Sequence, residues 1–373
     1  MPCAAGRSRS SSPVVRALWG VLCATILWCL PSDADAQAWV GGAPPKQRFV
    51  HRNSLFLRWN PIGFIYDARF IYRQRLYYED SEALSDNFIG VGLAPSASPA
   101  FGRIGAYVEF QPLTLLTLWA NYEVIAYTGL FNFMQSFPEP NADFRDSKLS
   151  ELGRLPAGDP SRNYPTTGTQ LLLGANFQVR LGSIAVRSQF RAMRPDMNLQ
   201  RGDRVFYDIF YDVMAPNRGW MMTNDADVLW QSDLGPKNEQ MTIGLRHTWT
   251  QAFYGPEHFA DGVVQADPNT PMHRLGPLFA YTFFQENRQW FNAPTLFVAL
   301  QWWLQHRWRT GVDYPQAIPM IAVGFSMNGD ILNMYGGRGA SLPTPPAPPA
   351  PAAVEPVSAA PAAPAPAAPS DAP

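Results

Sequence analysis

QLLLGANFQVRLGSIAVRSQFRA, residues 170–192, alternates along its whole length. Leu171, Leu173, Ala175, Phe177 and Val179 fall on one side, and Gln170, Asn176, Gln178 and Arg180 on the other. After Leu181-Gly182-Ser183, the residues Ile184, Val186 and Phe190 alternate with Arg187, Gln189 and Arg191. Period two marks a strand, because successive side chains leave a pleated backbone on opposite faces. The stretch therefore reads as a hairpin with one apolar and one charged face. Its strands run to about twice the roughly 5–6 residues usual in soluble sheets. About 9–11 residues with this division of faces is what a tilted strand needs to cross a bilayer.

The same pattern recurs. Phe64, Tyr66, Ala68, Phe70 and Tyr72 oppose Asp67, Arg69, Arg73 and Arg75. Ile104, Ala106, Val108 and Phe110 oppose Arg103, Tyr107, Glu109 and Gln111, and Leu116, Leu118, Ala120, Tyr122 and Val124 oppose Trp119, Asn121 and Glu123. Leu296, Val298, Leu300, Trp302 and Leu304 oppose Gln301, Gln305, Arg307 and Arg309. Further candidates lie at 225–233, 240–253, 272–285 and 316–328. Short links near 111–113, 181–183, 234–239 and 286–293 alternate with long ones at 79–100, 128–167, 193–224 and 254–271, and a shorter one at 310–315. With short turns in the periplasm and long loops outside, the strand at Phe64 runs outward and the one ending near Asn328 runs inward. Ten antiparallel strands result. Asn53–Asn60 also alternates, with Leu55, Leu57 and Trp59 against Ser54, Arg58 and Asn60. If it is a wall strand, parity demands a further partner, for which Val205–Val213 is the candidate. The expectation is an all-β, closed antiparallel barrel of about ten strands, with twelve as the alternative.

The charged faces must point into such a barrel, since an arginine on the lipid face costs about 2–4 kcal/mol at mid-membrane. The expected lumen set is Asp67, Arg69, Arg73, Arg103, Glu109, Glu123, Arg180, Arg187 and Arg191. It suits a water-filled pore with a selectivity lining, or an interior closed by salt bridges, as in narrow barrels.

Residues 1–38 carry the three parts of a secretory signal: Arg7, Arg9 and Arg16, the apolar run Ala17–Leu30, and an A-x-A end at Ala36-Gln37-Ala38. The three cysteines, Cys3, Cys23 and Cys29, all lie inside it. A chain cleaved there has no disulfide, thiol nucleophile or Cys-based metal site. Residues 1–38 hold three Arg and two Asp, so 26 basic and 28 acidic groups remain beyond them, a net charge of −2. That balance argues against a nucleic-acid partner. Charged residues are 16% and aromatics 13% of the chain, and mean hydropathy is −0.16, as suits a wall that is oily outside and polar inside. No run of 18 apolar residues follows the signal, which a barrel explains because its strands cross instead of helices. Residues 39–52 form a lead-in, 53–330 the barrel, and 331–373 a Gly336-Gly337-Arg338-Gly339 hinge with a Pro/Ala-rich coil.

Catalytic patterns are absent. None of His51, His247, His258, His273 and His306 stands in a Gly-x-Ser-x-Gly setting or in a His-x-Ser-Asn pattern, and none forms an i, i+4 zinc pair. No metal, cofactor or enzymatic activity is expected. Phe206-Tyr207-Asp208 recurs as Phe210-Tyr211-Asp212. On a helix Asp208 and Asp212 would share a face and, with Asp225 and Asp227, contact a cation or sugar; alternatively the segment covers the barrel mouth and pairs an arginine there.

Residues 1–330 resemble bacterial outer-membrane β-barrel proteins, porin-like in the broad sense. The features carrying the likeness are the signal, the alternating strands, the Gln111-Pro112 and Leu181-Gly182-Ser183 turns, and the aromatics Trp302, Trp303, Trp308 and Phe325. The resemblance implies outer-membrane localisation, lipid and the barrel-assembly machinery as partners, and transport as the role. One departure is the chain end, where such barrels carry an aromatic; Phe325 and Tyr335 are the nearest substitutes. Three function classes stand: a pore for small solutes, a plugged structural or surface-binding barrel using loop 128–167 and a tail toward the cell wall, and a lipid-modifying enzyme.

Overall fold

The structure, a computed structural model, describes residues 44–334 apart from 80, 201, 236–237 and 287–289. The signal segment, the glycine hinge, Tyr335 and the Pro/Ala coil lie outside the described residues.

In chain order the strands are β1 (Gln47–Trp59), β2 (Gly63–Arg75), β3 (Phe88–Ala97), β4 (Phe101–Leu113), β5 (Leu116–Tyr127), β6 (Ser136–Phe137), β7 (Thr166–Leu181), β8 (Ile184–Met197), β9 (Val205–Asp208), β10 (Val213–Pro216), β11 (Trp220–Leu234), β12 (Glu239–Phe253), β13 (Met272–Thr282), β14 (Asn292–Gln305) and β15 (Met320–Asp330). Helices α1 (Glu82–Ser85) and α2 (Asp146–Gly153) lie in connections. Twelve strands close into one antiparallel barrel, β1 meeting β15 from Val50↔Asp330 to Trp59↔Ile321. β6, β9 and β10 form a separate three-stranded sheet.

The barrel thus has twelve strands, the alternative count, and one of the two added strands is β1. The other is not Val205–Val213, which lies in the small sheet, but β3, inside the span expected to be the long loop 79–100. Its outward residues Ile89, Val91 and Leu93 are exposed as on any wall strand. Its inward positions are Gly90, Gly92, Ala94 and Ser96, so the charged half of the pattern is missing. Close approach demands the glycines: a Cβ on Gly90 would stand 2.8 Å from the Glu109 side chain, and one on Gly92 2.0 Å from the Phe70 carbonyl oxygen. With β1 ahead of it, β2 runs opposite to the expected direction, and the strands from β4 onward run as expected.

Connections sort by end. Links 128–165, 198–219, 254–271 and 306–319, with the tight turns at 60–62 and 98–100, leave one end. Links 76–87, 114–115, 182–183, 235–238 and 283–291 leave the other, together with the free ends of β1 and β15. The 182–183 turn is closed by Gly182 at φ +59, a left-handed conformation that glycine adopts without a Cβ penalty.

Lipid-side positions such as Leu57, Val108, Val124, Leu173, Val228 and Leu245 are exposed apolar residues, and Trp59, Trp230 and Trp302 stand among them. Ala175 lies in this band beside Leu118 and Phe190. Ala175→Arg is therefore expected to block insertion, at about 2–4 kcal/mol for a mid-membrane arginine. Arg187→Leu is expected to insert, because its partner Asp227 keeps Arg246 at 2.7 Å. Heat-modifiable gel mobility reads out both; equal tolerance of the two changes would overturn the facing of β7 and β8.

The main buried apolar cluster sits inside the barrel. Val205, Phe206, Tyr207, Val213 and Met214 of β9 and β10 pack with Phe144 and Leu149 of the 128–165 connection and with Met193, Met221 and Trp303 of the wall. The connections on the long-loop side fold inward and close that mouth.

Candidate functional site in the barrel lumen

Strand alternation projects charges of both signs inward, and most pair either with the adjacent strand or across one intervening strand. Arg73 Nε donates to Glu109 Oε1 at 2.5 Å, with both side chains almost wholly buried. Arg103 lies 3.3 Å from Asp67 and 3.4 Å from Glu123. Arg187 and Arg246 share Asp227, at 2.6 and 2.7 Å. Arg180 reaches Asp233 at 2.9 Å. Arg69 makes no ion pair among the described residues. It donates to the Tyr107 hydroxyl at 3.2 Å and lies over the Tyr107 and Trp119 rings, where the ring faces attract its charge. Arg191 lines the cavity described below, together with Tyr211.

The Phe-Tyr-Asp repeat is a hairpin, β9 and β10, so Asp208 and Asp212 do not share a helical face. Asp208 accepts the backbone N–H groups of Phe210 (2.7 Å) and Tyr211 (3.1 Å), closing the turn. Burial raises its carboxyl above the ordinary range despite those bonds and the nearby Arg103 and Arg58. Asp212 has no side-chain exposure and faces Arg309 at 2.6 Å and His306 at 3.2 Å. Burial alone would raise it, but Arg309 and His306 outweigh burial and hold the Asp212 carboxyl well below the usual carboxylate range. Burial pushes the Tyr211 hydroxyl up to about 12. Arg309 also donates to Asp146 of α2 at 2.9 Å and to Asn60 of the β1–β2 turn at 2.9 Å. One guanidinium thus ties the plug hairpin to two other segments of the mouth.

Beneath the hairpin tip, Ile209-Phe210-Tyr211, lies a cavity of about 290 Å³. Its wall carries six arginines (Arg58, Arg69, Arg103, Arg191, Arg246 and Arg274) against three carboxylates (Asp67, Glu123 and Asp225). Phe56, Tyr107, Trp119 and Phe297 supply apolar surface. Toward the short-turn end the lumen is polar and solvent-accessible in part: Arg52 is exposed inside the barrel, and Asn176, Gln178, Gln189, Gln231, Ser326 and Asn328 are part-exposed, while Arg48, Arg73, Glu109 and Arg180 are buried.

Of the nine expected lumen residues, Asp67, Arg69, Arg103, Glu123 and Arg191 line the cavity. Arg73 with Glu109, Arg180 and Arg187 form the ion pairs described above, away from it. Sequence reading missed Arg58, Arg246 and Arg274. Arg246 and Arg274 have inward parity within 240–253 and 272–285, segments that were delimited without being phased. Arg58 was on the polar face of Asn53–Asn60. The Arg309–Asp212 pair spans 97 residues and leaves no local signal.

The histidines are held structurally. His306 Nδ1 accepts the backbone N–H groups of Trp308 and Arg309. His258 Nδ1 accepts that of Gly255, and its Nε2 faces the Asn217 carbonyl. His247 and His273 stack on each other on the outward face of β12 and β13, and His51 lies against Trp290. Among the described residues no group of three or more His, Cys, Asp or Glu could hold a metal.

Fold and lumen together define a transmembrane β-barrel of the bacterial outer-membrane type, apolar outside and charged within. No family model and no curated protein matches the chain. Solved structures to which it is similar include the beta domain of the Bordetella autotransporter BrkA, at 10% identity over 76% of this chain and 99% of that one, TM-score 0.38. The KdgM porin matches at 7% identity over 74% and 98%, TM-score 0.31. An outer membrane channel from Pseudomonas putida F1 matches at 13% identity over 80% and 100%, TM-score 0.31. Likenesses this distant decide nothing about substrate or activity.

Proposed function

We propose that the protein is an outer-membrane channel for small solutes, held closed here by the inserted 198–219 connection. The observation carrying this reading is the asymmetry of the lumen. Its short-turn half is polar and in part solvent-accessible, while the other mouth is closed by the hairpin on a polar latch, packed with the 128–165 connection. A barrel built only as a wall plug has no need of a wet vestibule. The arginine excess around the cavity favours anions, because fixed charge on a pore lining sets which ions enter. The reading assigns no enzymatic step, and it places the protein in the outer membrane with its short turns in the periplasm.

Single-channel recording in planar bilayers tests it. The wild-type barrel is expected to open rarely. A variant with Arg204–Ala215 replaced by a short Gly/Ser link is expected to open steadily and to pass more anions than cations. A folded, heat-modifiable barrel that stays silent after that replacement would overturn the channel reading in favour of a plugged structural or surface-binding role.

A further inference from the structure

The barrel rim is low at β1–β4, where the turns at 60–62 and 98–100 are tight, whereas the other connections at that end are long. An apolar groove of about 430 Å³ runs over this notch. Leu57, Trp59, Phe64 and Val323 line it from the lipid-facing wall, and Phe133 and Ile209 from the loops. Ile62 and Phe131 stand at its edge, 72% and 65% exposed. Phe131 is held there by a left-handed backbone at φ 57, which costs of order 1 kcal/mol or more for a residue other than glycine.

The groove adjoins the arginine-rich cavity, sharing Arg58, Gly63 and Ile209 with it. Arg58 is the one charged residue among those lining the groove. It has no carboxylate partner among the described ion pairs; its guanidinium donates to the carbonyls of Pro61 (3.1 Å), Phe210 (2.8 Å) and Ile209. An apolar trough that opens on lipid and ends at a cation is complementary to a molecule with a tail and an anionic head.

We propose that the groove and the Arg58 end of the cavity bind a single-chain amphipathic carboxylate, entering sideways from the outer leaflet with its tail in the groove and its head at Arg58. Together the two spaces fall in the usual range of about 300–1,000 Å³ for ligand pockets. The inference deepens the channel reading and rests on it for where the ligand goes next; binding itself requires no conduction.

The test is equilibrium binding of radiolabelled dodecanoate to the protein in lipid nanodiscs, with 1-dodecanol and acetate as comparators. Dodecanoate is expected to bind saturably and at least about tenfold more tightly than dodecanol, with acetate not retained; tenfold corresponds to about 1.4 kcal/mol. Arg58→Gln is expected to bring the dodecanoate-to-dodecanol ratio close to one. A Cβ at Gly63 would stand 3.5 Å from the Arg58 guanidinium, so Gly63→Phe is expected to fill the junction and abolish saturable binding. Equal affinity for dodecanoate and dodecanol, or binding unchanged by Gly63→Phe, would overturn the proposal. Arg58 also holds the plug tip, so if Arg58→Gln fails to fold, the wild-type comparators and Gly63→Phe decide. Binding retained by a barrel that never conducts sinks the channel reading and leaves the site standing.

Discussion

Arg309→Ala is expected to open the long-loop mouth. Arg309 is nearly fully buried and joins Asp212 of the plug hairpin, Asp146 of α2 and Asn60 of the β1–β2 turn. Truncating it leaves Asp212, with no exposure of its own, to His306 and to the Tyr207 hydroxyl at 2.8 Å. Removing one partner of a buried ion pair costs about 3–5 kcal/mol, because the other charge stays desolvated. If that cost falls on the closed mouth, the closed-to-open ratio drops by about two to four orders of magnitude, which single-channel open probability measures directly. Asp212→Asn combined with Arg309→Gln removes both charges and is expected to stay closer to wild type than Arg309→Ala alone. A double variant as open as the single one would mean that the latch is not electrostatic.

The latch also has a predictable pH response. In the closed protein the Asp212 carboxyl titrates well below its ordinary range, through Arg309 and His306 acting against burial. A depressed carboxylate contributes stability that is fully present above its free value, about 3.9, and is lost as pH falls through its lower, closed-state value. Closure is therefore expected to be flat from pH 7 to about pH 5 and to weaken only in stronger acid. Opening between pH 5 and 7 would assign the response to another group.

The second large effect is expected at Glu109→Gln. Glu109 is the carboxylate that meets Arg73 at 2.5 Å. Arg52 and Arg69 lie in the same quarter of the lumen without an ion pair among the described residues. Gly90, which has no side chain, makes the space in which Glu109 sits. The amide keeps the shape and removes the charge, leaving three guanidiniums facing one another. We expect a loss of about 3–5 kcal/mol, the usual cost of breaking a buried pair, seen as a lower temperature for the heat-modifiable gel transition. In the Arg309→Ala background, ion selectivity is expected to shift further toward anions. An unchanged transition temperature would show that solvent, not Glu109, balances these arginines.

The sequence alone determined which faces of the longer wall strands look outward and inward. Side-chain parity is a local property of extended backbone, so the hairpin 170–192 already told which of its residues meet lipid and which meet the lumen. The same holds for β2, β4, β5 and β14, whose two faces differ sharply in polarity. It did not reveal β3, because Gly90, Gly92, Ala94 and Ser96 answer to crowding by neighbouring strands rather than to polarity, and small residues carry no facing signal. It offered Phe206–Asp212 as a cover of the mouth paired to an arginine, but did not show that the segment is a hairpin, since its short strands are buried on both faces and lose the alternation that marks a strand. Only the tertiary structure brought Arg309 to Asp212 and Asp227 to both Arg187 and Arg246. Those pairs depend on barrel closure and loop insertion, which join residues far apart in the chain, and no periodicity along the chain encodes such a distance.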